Sequence, residues 1–366
     1  MINDKIRGSI FGGAVGDALG YAIEFEDEKT IFSQYGKDGI QEYKLETSNK
    51  KAIISDDTQM TLFTACAMIF RADRQKINDV SLNPSSYAYL TYQDWLITQE
   101  MSYQKAVETV FARHNEYKSA FISEPLKNVP ELFNRRAPGI TCLSALHTRK
   151  EQREKHKNSL DFINDKINNS KGCGGVMRVA PVGMMKWCDD VERVAMEGAQ
   201  CAAITHCHSL GYMSAAVLVQ MIYQIIYNDH SLTLKEITIE ARDTAAKLFE
   251  GDKHLDELIN CINDAIEFSK NSDSDLNNIH RLGEGWVAEE ALAIAIYCSL
   301  KYKDKFSKGV IAAVNHKGDS DSTGAITGNI LGALVGYEAI EQKWKENLEI
   351  SDTILRVADL IYERSI

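Results

Sequence analysis

The sequence has little proline, no excess of positive charge and no paired-cysteine motif. Only five of its 366 residues are proline, and alternating β-branched runs are rare, which favours helix over strand. Acidic residues outnumber basic ones 52 to 41, so the chain lacks the positive surface of a dedicated nucleic-acid-binding protein. Its eight cysteines include no CxxC pair, which predicts buried free thiols in a reducing compartment rather than disulfides.

The chain also has no signal-type cleavage site near its N-terminus, and we expect no membrane-spanning segment. Its longest apolar stretches are interrupted by Asp17, Asn329 or Glu338 before they reach spanning length. A composition of 44% hydrophobic and 25% charged residues is that of an ordinary globular protein. We therefore expect a cytoplasmic protein that binds neither nucleic acid nor membrane and is a monomer by default.

Apolar residues recur at helical spacing through most of the chain. In residues 209–227, apolar positions from Leu210 to Ile225 are three or four apart, as one face of a helix requires. Strand signals are scarce, and residues 39–45 with 52–54 would form a small hairpin or a loop. The sequence therefore predicts an all-α protein. Similar helical patterns run through residues 59–70, 86–97, 189–204, 233–249, 285–300 and 305–315.

One polar stretch could divide the chain, but it does not have the composition of a flexible linker. Residues 149–171 are dominated by Lys, Arg, Glu, Asn and Asp, and we interpret them as a solvated helix followed by a loop. The sequence has no Gly/Ser-rich or Pro-rich linker and no repeat of solenoid period. We predict a single compact helical domain over residues 1–366.

Glycine recurs at every fourth position near both ends of the chain. One run extends from Gly8 to Gly20 and the other from Gly324 to Gly336. Residues four apart share a helix face, and each glycine inside a helix costs about 1 kcal/mol relative to alanine. A membrane version of this motif is excluded by Asp17 within the first run. We predict two central helices, one from each end, whose backbones pack closer than side chains would allow.

Two acidic segments each precede a helical pattern. SDDT occupies residues 55–58 and GDSDST occupies residues 318–323. Taken singly, each is most simply a helix cap, because Ser and Asp satisfy amides at a helix N-terminus. Together they supply more carboxylate than caps need, and carboxylates that converged in turns before the helices would require cations. Oxygen ligands select Mg²⁺ or Mn²⁺, and shared ligands would give a two-metal site.

Six segments resemble the ADP-ribosylglycohydrolase family, in the expected order along nearly the whole chain. They are GGAVGDALG at 12–20 with Glu24 and Phe25, SDDTQMT at 55–61, KGCGGVMR at 171–178, THCH at 205–208, GEGWVAEEAL at 283–292 and GDSDSTG at 318–324. The second and last of these resemble the family's two metal motifs. The resemblance implies an all-α fold of the ADP-ribosylglycohydrolase type and a binuclear hydrolase that acts on the bond between ADP-ribose and a modified acceptor.

The resemblance also implies a set of metal ligands and cofactors. Family members carry Thr or Ser at the two hydroxyl positions, and either side chain keeps a ligating oxygen. The cofactors would be two Mg²⁺ or Mn²⁺ ions. By motif position, the ligands would be Ser55, Asp56, Asp57, Asp319, Asp321 and Ser322.

The catalytic candidates are Glu24, Asp57 and Asp321. Cleavage of the C1″–N bond of ADP-ribosylarginine develops positive charge on the ribose and needs an attacking water and a protonated leaving group. We assign the proton transfer to Glu24 or to an aspartate of the metal set. From the residues alone Glu24 is an exposed acid in the run 24–28, and the family match reverses that interpretation.

A glycine-rich loop and a histidine supply the candidate substrate contacts. Glycine lets a backbone approach a pyrophosphate, although a tight turn is the more frequent cause of such a sequence. Arg178 would pair with a phosphate or with an internal acid, and His206 would hydrogen-bond in the core or line the pocket. His206 and His208 would diverge on a helix, so zinc is not expected. The substrate-binding candidates are Gly172, Cys173, Gly174, Gly175, Val176, Met177 and His206. Three aromatic residues are expected in the core unless one stacks on adenine: Tyr212, Trp286 and Tyr297.

The acceptor and the activity leave three alternatives. We favour arginine-linked ADP-ribose on a protein or small conjugate, because the guanidinium leaving group is cationic and the acidic run 24–28 would attract it. The same scaffold could act on serine-linked ADP-ribose, O-acetyl-ADP-ribose or a modified base. A silent relative that binds ADP-ribose or neutralises a toxin is the third alternative. Loss of a metal-site aspartate would favour it, and none is missing.

Overall fold

Helices build the described part of the chain. The computed structural model describes residues 1–77, 82–112, 121–155, 160–227 and 231–365. Within those ranges it contains 17 α-helices and no strand, so the all-α prediction is confirmed. The helices are α1 (Ile2–Tyr21), α2 (Glu28–Tyr35), α3 (Asp56–Ile77), α4 (Pro84–Glu100), α5 (Tyr103–Ala106), α6 (Ile140–Glu154), α7 (Ala180–Met184), α8 (Val191–Ala203), α9 (Ser209–Tyr227), α10 (Leu234–Leu248), α11 (Leu255–Phe268), α12 (Asp275–Leu282), α13 (Ala288–Lys301), α14 (Phe306–Val314), α15 (Ser320–Val335), α16 (Gln342–Lys345) and α17 (Ser351–Ser365). Shorter turns of π- or 3₁₀-helix occur at Val107–Phe111, Glu124–Leu126, Pro130–Phe133 and Cys173–Gly175.

The segments with predicted helical spacing all lie in helices, apart from a few residues at their ends. Residues 39–45 and 52–54, predicted to form a hairpin or a loop, form a loop. Within it, Ala52 makes only an isolated bridge to Leu348. Buried apolar residues from α1 through α17 belong to one hydrophobic cluster. A single cluster of this kind is what the prediction of one domain requires.

The polar stretch at residues 149–171 is partly helix and partly loop, as predicted. Helix α6 continues to Glu154, residues 156–159 lie outside the described residues, and residues 160–171 form a loop. The helix is less solvated than we expected, because Arg149 is buried. Its guanidinium pairs with Asp165 Oδ2 at 2.6 Å and donates to the Ile204 carbonyl at 3.2 Å. These contacts anchor the stretch to the fold.

Helices α1 and α15 pack backbone against backbone along their glycine stripes. They run antiparallel, because Gly16 faces Gly324 while Gly12 faces Gly328 and Gly8 faces Gly332. A Cβ atom on Gly16 would lie 1.9 Å from the Gly324 carbonyl oxygen, which no side chain can tolerate. The prediction of two closely packed helices from opposite ends of the chain is therefore confirmed.

The last glycine of each stripe departs from this pairing. Gly20 faces the Ser320 carbonyl oxygen, 2.2 Å from where its Cβ would be. Gly336 lies after α15 with φ 82°, a left-handed conformation that favours glycine at a helix end. Ser9 and Asn329 add a reciprocal pair of hydrogen bonds, each donating to the other's carbonyl at 2.9 and 2.8 Å. The antiparallel arrangement places the C-terminal end of α1 beside the N-terminal end of α15.

Helix α9 corrects the expectation that polar residues interrupt every long apolar stretch. Among the described helices, it alone is long and apolar enough to cross a membrane. Within its most apolar window, 94% of the residues are buried inside the protein. Helix α9 therefore serves as a core helix, packed between α8, α10 and α7.

All eight cysteines are free thiols, as the sequence predicted, but the predicted burial holds for only five of them. These five are buried because they lie in apolar helices and turns. The buried ones are Cys66, Cys142, Cys201, Cys207 and Cys298.

Candidate metal centre

An acid cluster lies where the end of α1 meets the start of α15. Glu24 is in the turn after α1, Asp319 caps α15 and Asp321 lies in its first turn. One carboxylate oxygen from each residue lies within 4.8 Å of the others, and all three side chains are buried. The glycine-packed helix pair thus brings together acids from opposite ends of the chain.

Asp17 holds the second acidic segment against this pair. Its buried carboxylate accepts hydrogen bonds from the Ser55 amide at 2.9 and 3.1 Å and from the Thr58 amide at 3.0 Å. The Thr58 hydroxyl also donates to it. These amides belong to the N-terminus of α3, where N–H groups lack partners within the helix. Asp17 therefore fixes the turn at residues 55–58, a role that the sequence analysis missed. The available signal was a carboxylate inside a glycine-striped helix.

All six predicted metal ligands are buried side chains, and the charge of Asp319 adds to burial in raising the pKa of Asp56 and of Asp57. Ser55 Oγ accepts from the Asp57 amide at 3.1 Å, which orients the start of α3. At the start of α15, the Ser322 amide donates to Asp321 Oδ1 at 2.9 Å and to Asp319 Oδ1 at 3.3 Å. The capping role expected of each segment is therefore present, and the carboxylates keep further oxygens free of these caps. The six buried residues are Ser55, Asp56, Asp57, Asp319, Asp321 and Ser322.

Burial and mutual repulsion disfavour the charged forms of these carboxyl groups. Burial, followed by the charges of Asp319, Asp56 and Asp17, raises the pKa of Glu24 to about 9. Burial, followed by neighbouring acids, holds the pKa of three aspartates well above its ordinary value: Asp56, Asp57 and Asp321. The carboxyl groups of the cluster therefore ionise together only when a cation binds to them.

Two carboxylate oxygens of the cluster are buried without a hydrogen-bond partner in the described structure. They are Glu24 Oε2 and Asp57 Oδ2. A buried, unpaired carboxylate oxygen is costly unless it meets a cation or a donor. Carboxylate and hydroxyl oxygens are the ligands that Mg²⁺ and Mn²⁺ prefer. The residues present therefore fit a hard divalent cation.

The glycine-rich loop lies directly beside the acid cluster. The Cys173 amide donates to the Trp286 carbonyl at 3.1 Å, and the Cys173 thiol donates to Asp319 Oδ2 at 2.6 Å. The 3₁₀ turn at Cys173–Gly175 begins at the residue that makes these two hydrogen bonds. A group bound on the loop would therefore be a neighbour of the acids. Two further candidates after the turn are buried: Val176 and Met177.

Arg178 and His206 lie beneath the loop. Arg178 is fully buried, and its guanidinium donates to Thr205 Oγ1 at 2.6 Å rather than to a carboxylate. Among the described residues the expected internal acid is therefore wrong, because neutral groups enclose the side chain, while the phosphate partner stays a prediction. His206 has Nδ1 2.8 Å from the same hydroxyl and its ring close to Gly172 and Gly174. Burial, followed by the charge of Arg178, lowers the pKa of His206 to about 3.

The acidic run after Glu24 is committed to other contacts. Asp27 caps α2, and Glu28 pairs with His280. Glu24 is buried, so its interpretation as an exposed acid is wrong. Of this run, Glu24 supplies the carboxylate at the cluster.

The three aromatic candidates separate into two core residues and one surface residue. Tyr212 and Tyr297 are buried, as core packing predicts. Trp286 is 41% exposed, so its placement in the core is wrong. It belongs to the segment before α13 that receives the hydrogen bond of Cys173.

Comparisons with known proteins agree with this architecture. A model of the ADP-ribosylglycohydrolase family matches residues 1–366. The ADP-ribosylhydrolase ARH3 of Bos taurus is 20% identical over 393 residues, which cover 99% of this chain and 94% of the relative. An uncharacterized protein of Archaeoglobus fulgidus is 26% identical over 371 residues, covering 99% of this chain and 97% of the relative.

A solved structure described as an ADP-ribosylglycohydrolase-related protein complex shares the fold. Its TM-score is 0.64 at 19% identity, and the superposition covers 100% of this chain and 99% of that one. The family is metal-dependent and hydrolyses ADP-ribosylated substrates. Because the family match spans the whole sequence, this chain belongs to the ADP-ribosylglycohydrolase family of hydrolases.

Proposed function

We propose that this chain releases ADP-ribose from modified arginine side chains and that two divalent cations at the acid cluster are required. The observation that supports the proposal is the convergence of Glu24, Asp319 and Asp321 within 4.8 Å, with two cluster oxygens left unpaired. Helix capping does not require unpaired carboxylate oxygens, whereas a hydrolase that binds cations requires them as ligands.

The proposed ligands are hydroxyl and carboxylate oxygens from the starts of α3 and α15. A bound Mg²⁺ or Mn²⁺ supplies Lewis acidity toward water and ribose oxygens. The chain's own contribution is to hold these oxygens in place, through Asp17 at one helix and through the Cys173–Asp319 contact at the other. The ligands are Ser55, Asp56, Asp57, Asp319, Asp321 and Ser322.

Glu24 is the proposed proton-transfer group. Its Oε2 is free of hydrogen bonds, and burial with nearby carboxylates raises its pKa to about 9. A carboxyl group whose pKa is raised in this way can hold a proton and deliver it to the leaving nitrogen. Asp57 and Asp321 remain ligands in this scheme, with Asp57 Oδ2 as the second oxygen able to accept a proton from water.

The glycine-rich loop is the proposed site for the pyrophosphate. Its turn at Cys173–Gly175 carries no side chain at two of three positions, which lets a ligand approach the backbone. The thiol of Cys173 contacts Asp319, so this loop presents the ribose bond to the acids. Arginine as acceptor is favoured by the acidic residues around the cluster, because negative charge attracts a cationic guanidinium.

The test is release of free ADP-ribose from arginine-linked and serine-linked peptides, each assayed with EDTA and with Mn²⁺. We expect faster release from the arginine-linked peptide, dependent on Mn²⁺, and its loss in Asp321→Asn. Asp94→Asn is the matched control, since Asp94 is a buried aspartate on α4 outside the cluster. Faster cleavage of the serine-linked peptide would overturn the acceptor assignment. Full activity in EDTA or in Asp321→Asn would overturn the metal assignment.

A further inference from the structure

The buried guanidinium of Arg178 lacks the carboxylate partner that an enclosed charge normally has. Among the described residues its neighbours are neutral: Thr205 Oγ1 at 2.6 Å, Cys142 Sγ at 3.3 Å and Met60 Sδ at 3.4 Å. The guanidinium carbon lies 4.4 Å from the ring centroid of Tyr92, at cation–π distance. Burying a guanidinium without a carboxylate costs free energy, so we expect a role for Arg178 beside the candidate substrate loop.

The hydrogen bond from Arg178 decides which way the Thr205 hydroxyl points. A guanidinium can only donate, so Thr205 Oγ1 accepts from it and the hydroxyl hydrogen must go elsewhere. The other partner of this oxygen is His206 Nδ1, at 2.8 Å. If Nδ1 carried a hydrogen, the hydroxyl hydrogen of a fully buried threonine would have no acceptor among the described residues. The network is satisfied when Thr205 donates to an unprotonated Nδ1.

An unprotonated Nδ1 leaves the hydrogen of a neutral imidazole on Nε2. The ring is neutral because burial, followed by the positive charge of Arg178, lowers the pKa of His206. The protonated edge of the ring faces the glycine-rich loop. A Cβ placed on Gly174 would lie 2.9 Å from Cε1 and 3.3 Å from Nε2 of His206, and one on Gly172 would lie 3.4 Å from Nε2. Nε2 has no hydrogen-bond partner among the residues that the structure describes.

We propose that Arg178 and Thr205 are positioning residues that hold His206 as the Nε2–H tautomer, and that this N–H donates a hydrogen bond to ADP-ribose bound on the Gly172–Gly175 loop. The ligand half of the proposal rests on the proposed function. The relay from Arg178 through Thr205 to His206 rests on the hydrogen-bond geometry alone. Gly172 and Gly174 serve the same arrangement, because any side chain there would lie against the ring.

The test is the ¹⁵N spectrum of the imidazole nitrogens in histidine-labelled full-length protein with Mg²⁺, which is diamagnetic. The His206 signals are assigned by their absence in His206→Gln. We expect the wild type to show Nε2 protonated and Nδ1 unprotonated, and Nε2 to shift when ADP-ribose is added. Thr205→Val should give a mixture of both tautomers and weaken ADP-ribose binding by about 3- to 10-fold, the range of one hydrogen bond. Thr205→Ser, which keeps the hydroxyl, should restore both.

Thr238→Val is the matched control, since Thr238 is a buried threonine on α10 whose hydroxyl donates to the Leu234 carbonyl. It should leave the His206 signals and ADP-ribose affinity unchanged. A wild-type spectrum with Nδ1 protonated would overturn the relay, even if Thr205→Val fails to fold. Binding of ADP-ribose without a shift at Nε2 would overturn the ligand contact. If ADP-ribose does not bind the wild type, the proposed function fails together with that contact, while the tautomer result decides the relay separately.

Discussion

The middle of the α1–α15 pair and the acid cluster at one end of the same helices are held together by opposite kinds of interaction. In the middle, uncharged backbones meet so closely that glycine is required at Gly12, Gly16, Gly324 and Gly328. At the end, buried carboxyl groups repel one another, and two of their oxygens lack a hydrogen-bond partner among the described residues. The glycine contacts stabilise the fold. The acid cluster is tolerated because these contacts hold its carboxyl groups in place.

This comparison explains why the acids converge at all. Carboxylates at the ends of two free helices would separate, since charge repulsion at contact opposes their approach. The glycine contacts fix the separation of the helix axes, and Asp17 ties α3 to the same end. A cation site can therefore be formed before the cation arrives.

The largest expected effect comes from breaking the glycine contact. In Gly328→Leu the new Cβ would lie 1.9 Å from the Gly12 carbonyl oxygen, so the backbones must separate. We expect a loss of about 3 kcal/mol or more in the free energy of unfolding, at the upper end of overpacking effects. Denaturant unfolding followed by circular dichroism measures it.

Gly251→Leu is the control for this substitution. Gly251 has φ 85° and no atom within 4 Å of the place where a Cβ would lie, so leucine there meets only backbone strain of roughly 1–2 kcal/mol. Equal stability losses in the two variants would show that close packing is not what Gly328 provides.

The second prediction concerns the acid cluster, where we expect a substitution to maintain or raise the free energy of unfolding rather than lower it. Asp321→Asn replaces a buried carboxyl group, whose ionisation burial and the neighbouring acids oppose, with a neutral amide, so the metal-free variant should be at least as stable as the metal-free wild type. With Mn²⁺ at 100 times its dissociation constant, the wild type should gain about 2.7 kcal/mol for each ion that it binds and Asp321→Asn none. Thermal unfolding with EDTA and with Mn²⁺ gives both values. A strongly destabilised metal-free Asp321→Asn would contradict the idea of repulsion in the cluster.

The third prediction sharpens the role of Asp17, which joins the two regions. In Asp17→Asn the amide group would face the amide of Ser55 or Thr58, so the turn at residues 55–58 loses its fixed position. We expect Mn²⁺ to bind about 10- to 100-fold more weakly, as for other residues that orient metal ligands. Isothermal titration calorimetry measures the affinity.

The matched variant is Asp94→Asn. Asp94 Oδ2 also accepts from two backbone amides, Ile122 and Ser123, each at 2.8 Å, but it lies outside the cluster. Its substitution should leave Mn²⁺ affinity unchanged. Equal weakening by both substitutions would mean that Asp17 acts through general stability.

The last prediction concerns the pH dependence of metal-free stability. The pKa of Glu24 is raised from an ordinary value of 4.5 to about 9, so the folded state keeps a proton that the unfolded state has lost between these values. In EDTA the melting temperature should therefore fall as pH rises from about 4.5 to about 9. Glu24→Gln should flatten this slope. A metal-free wild type that becomes more stable over the same interval would contradict the raised pKa.

The sequence was sufficient for the parts of the molecule that local pattern determines. Helical spacing predicted α3, α4, α8, α9, α10, α13 and α14, and the glycine stripes predicted a close pair from opposite ends. The two acidic segments indicated an oxygen-ligand metal site, and the individual ligands could be named because these segments resemble the family's two metal motifs. Their convergence was an expectation, and it depended on packing that no single segment contains.

What the sequence could not predict depends on contacts between distant segments. Asp17 appeared as an interruption of an apolar helix, and only the fold shows that it binds the start of α3. Arg178 was assigned to an anion because charge is usually paired, whereas burial against Thr205 and Tyr92 places it among neutral groups. Trp286 was expected in the core from its apolar neighbours and lies at the surface.

The most direct test of the account is the number of Mn²⁺ ions that the protein binds, counted by electron paramagnetic resonance of free Mn²⁺ during titration. The account predicts saturation at two ions per chain in the wild type, and loss of tight binding in Asp321→Asn with retention in Asp94→Asn. A wild type that binds no Mn²⁺, or an Asp321→Asn variant that binds as the wild type does, would contradict the claim that the glycine-packed helices hold a divalent-cation site at their end.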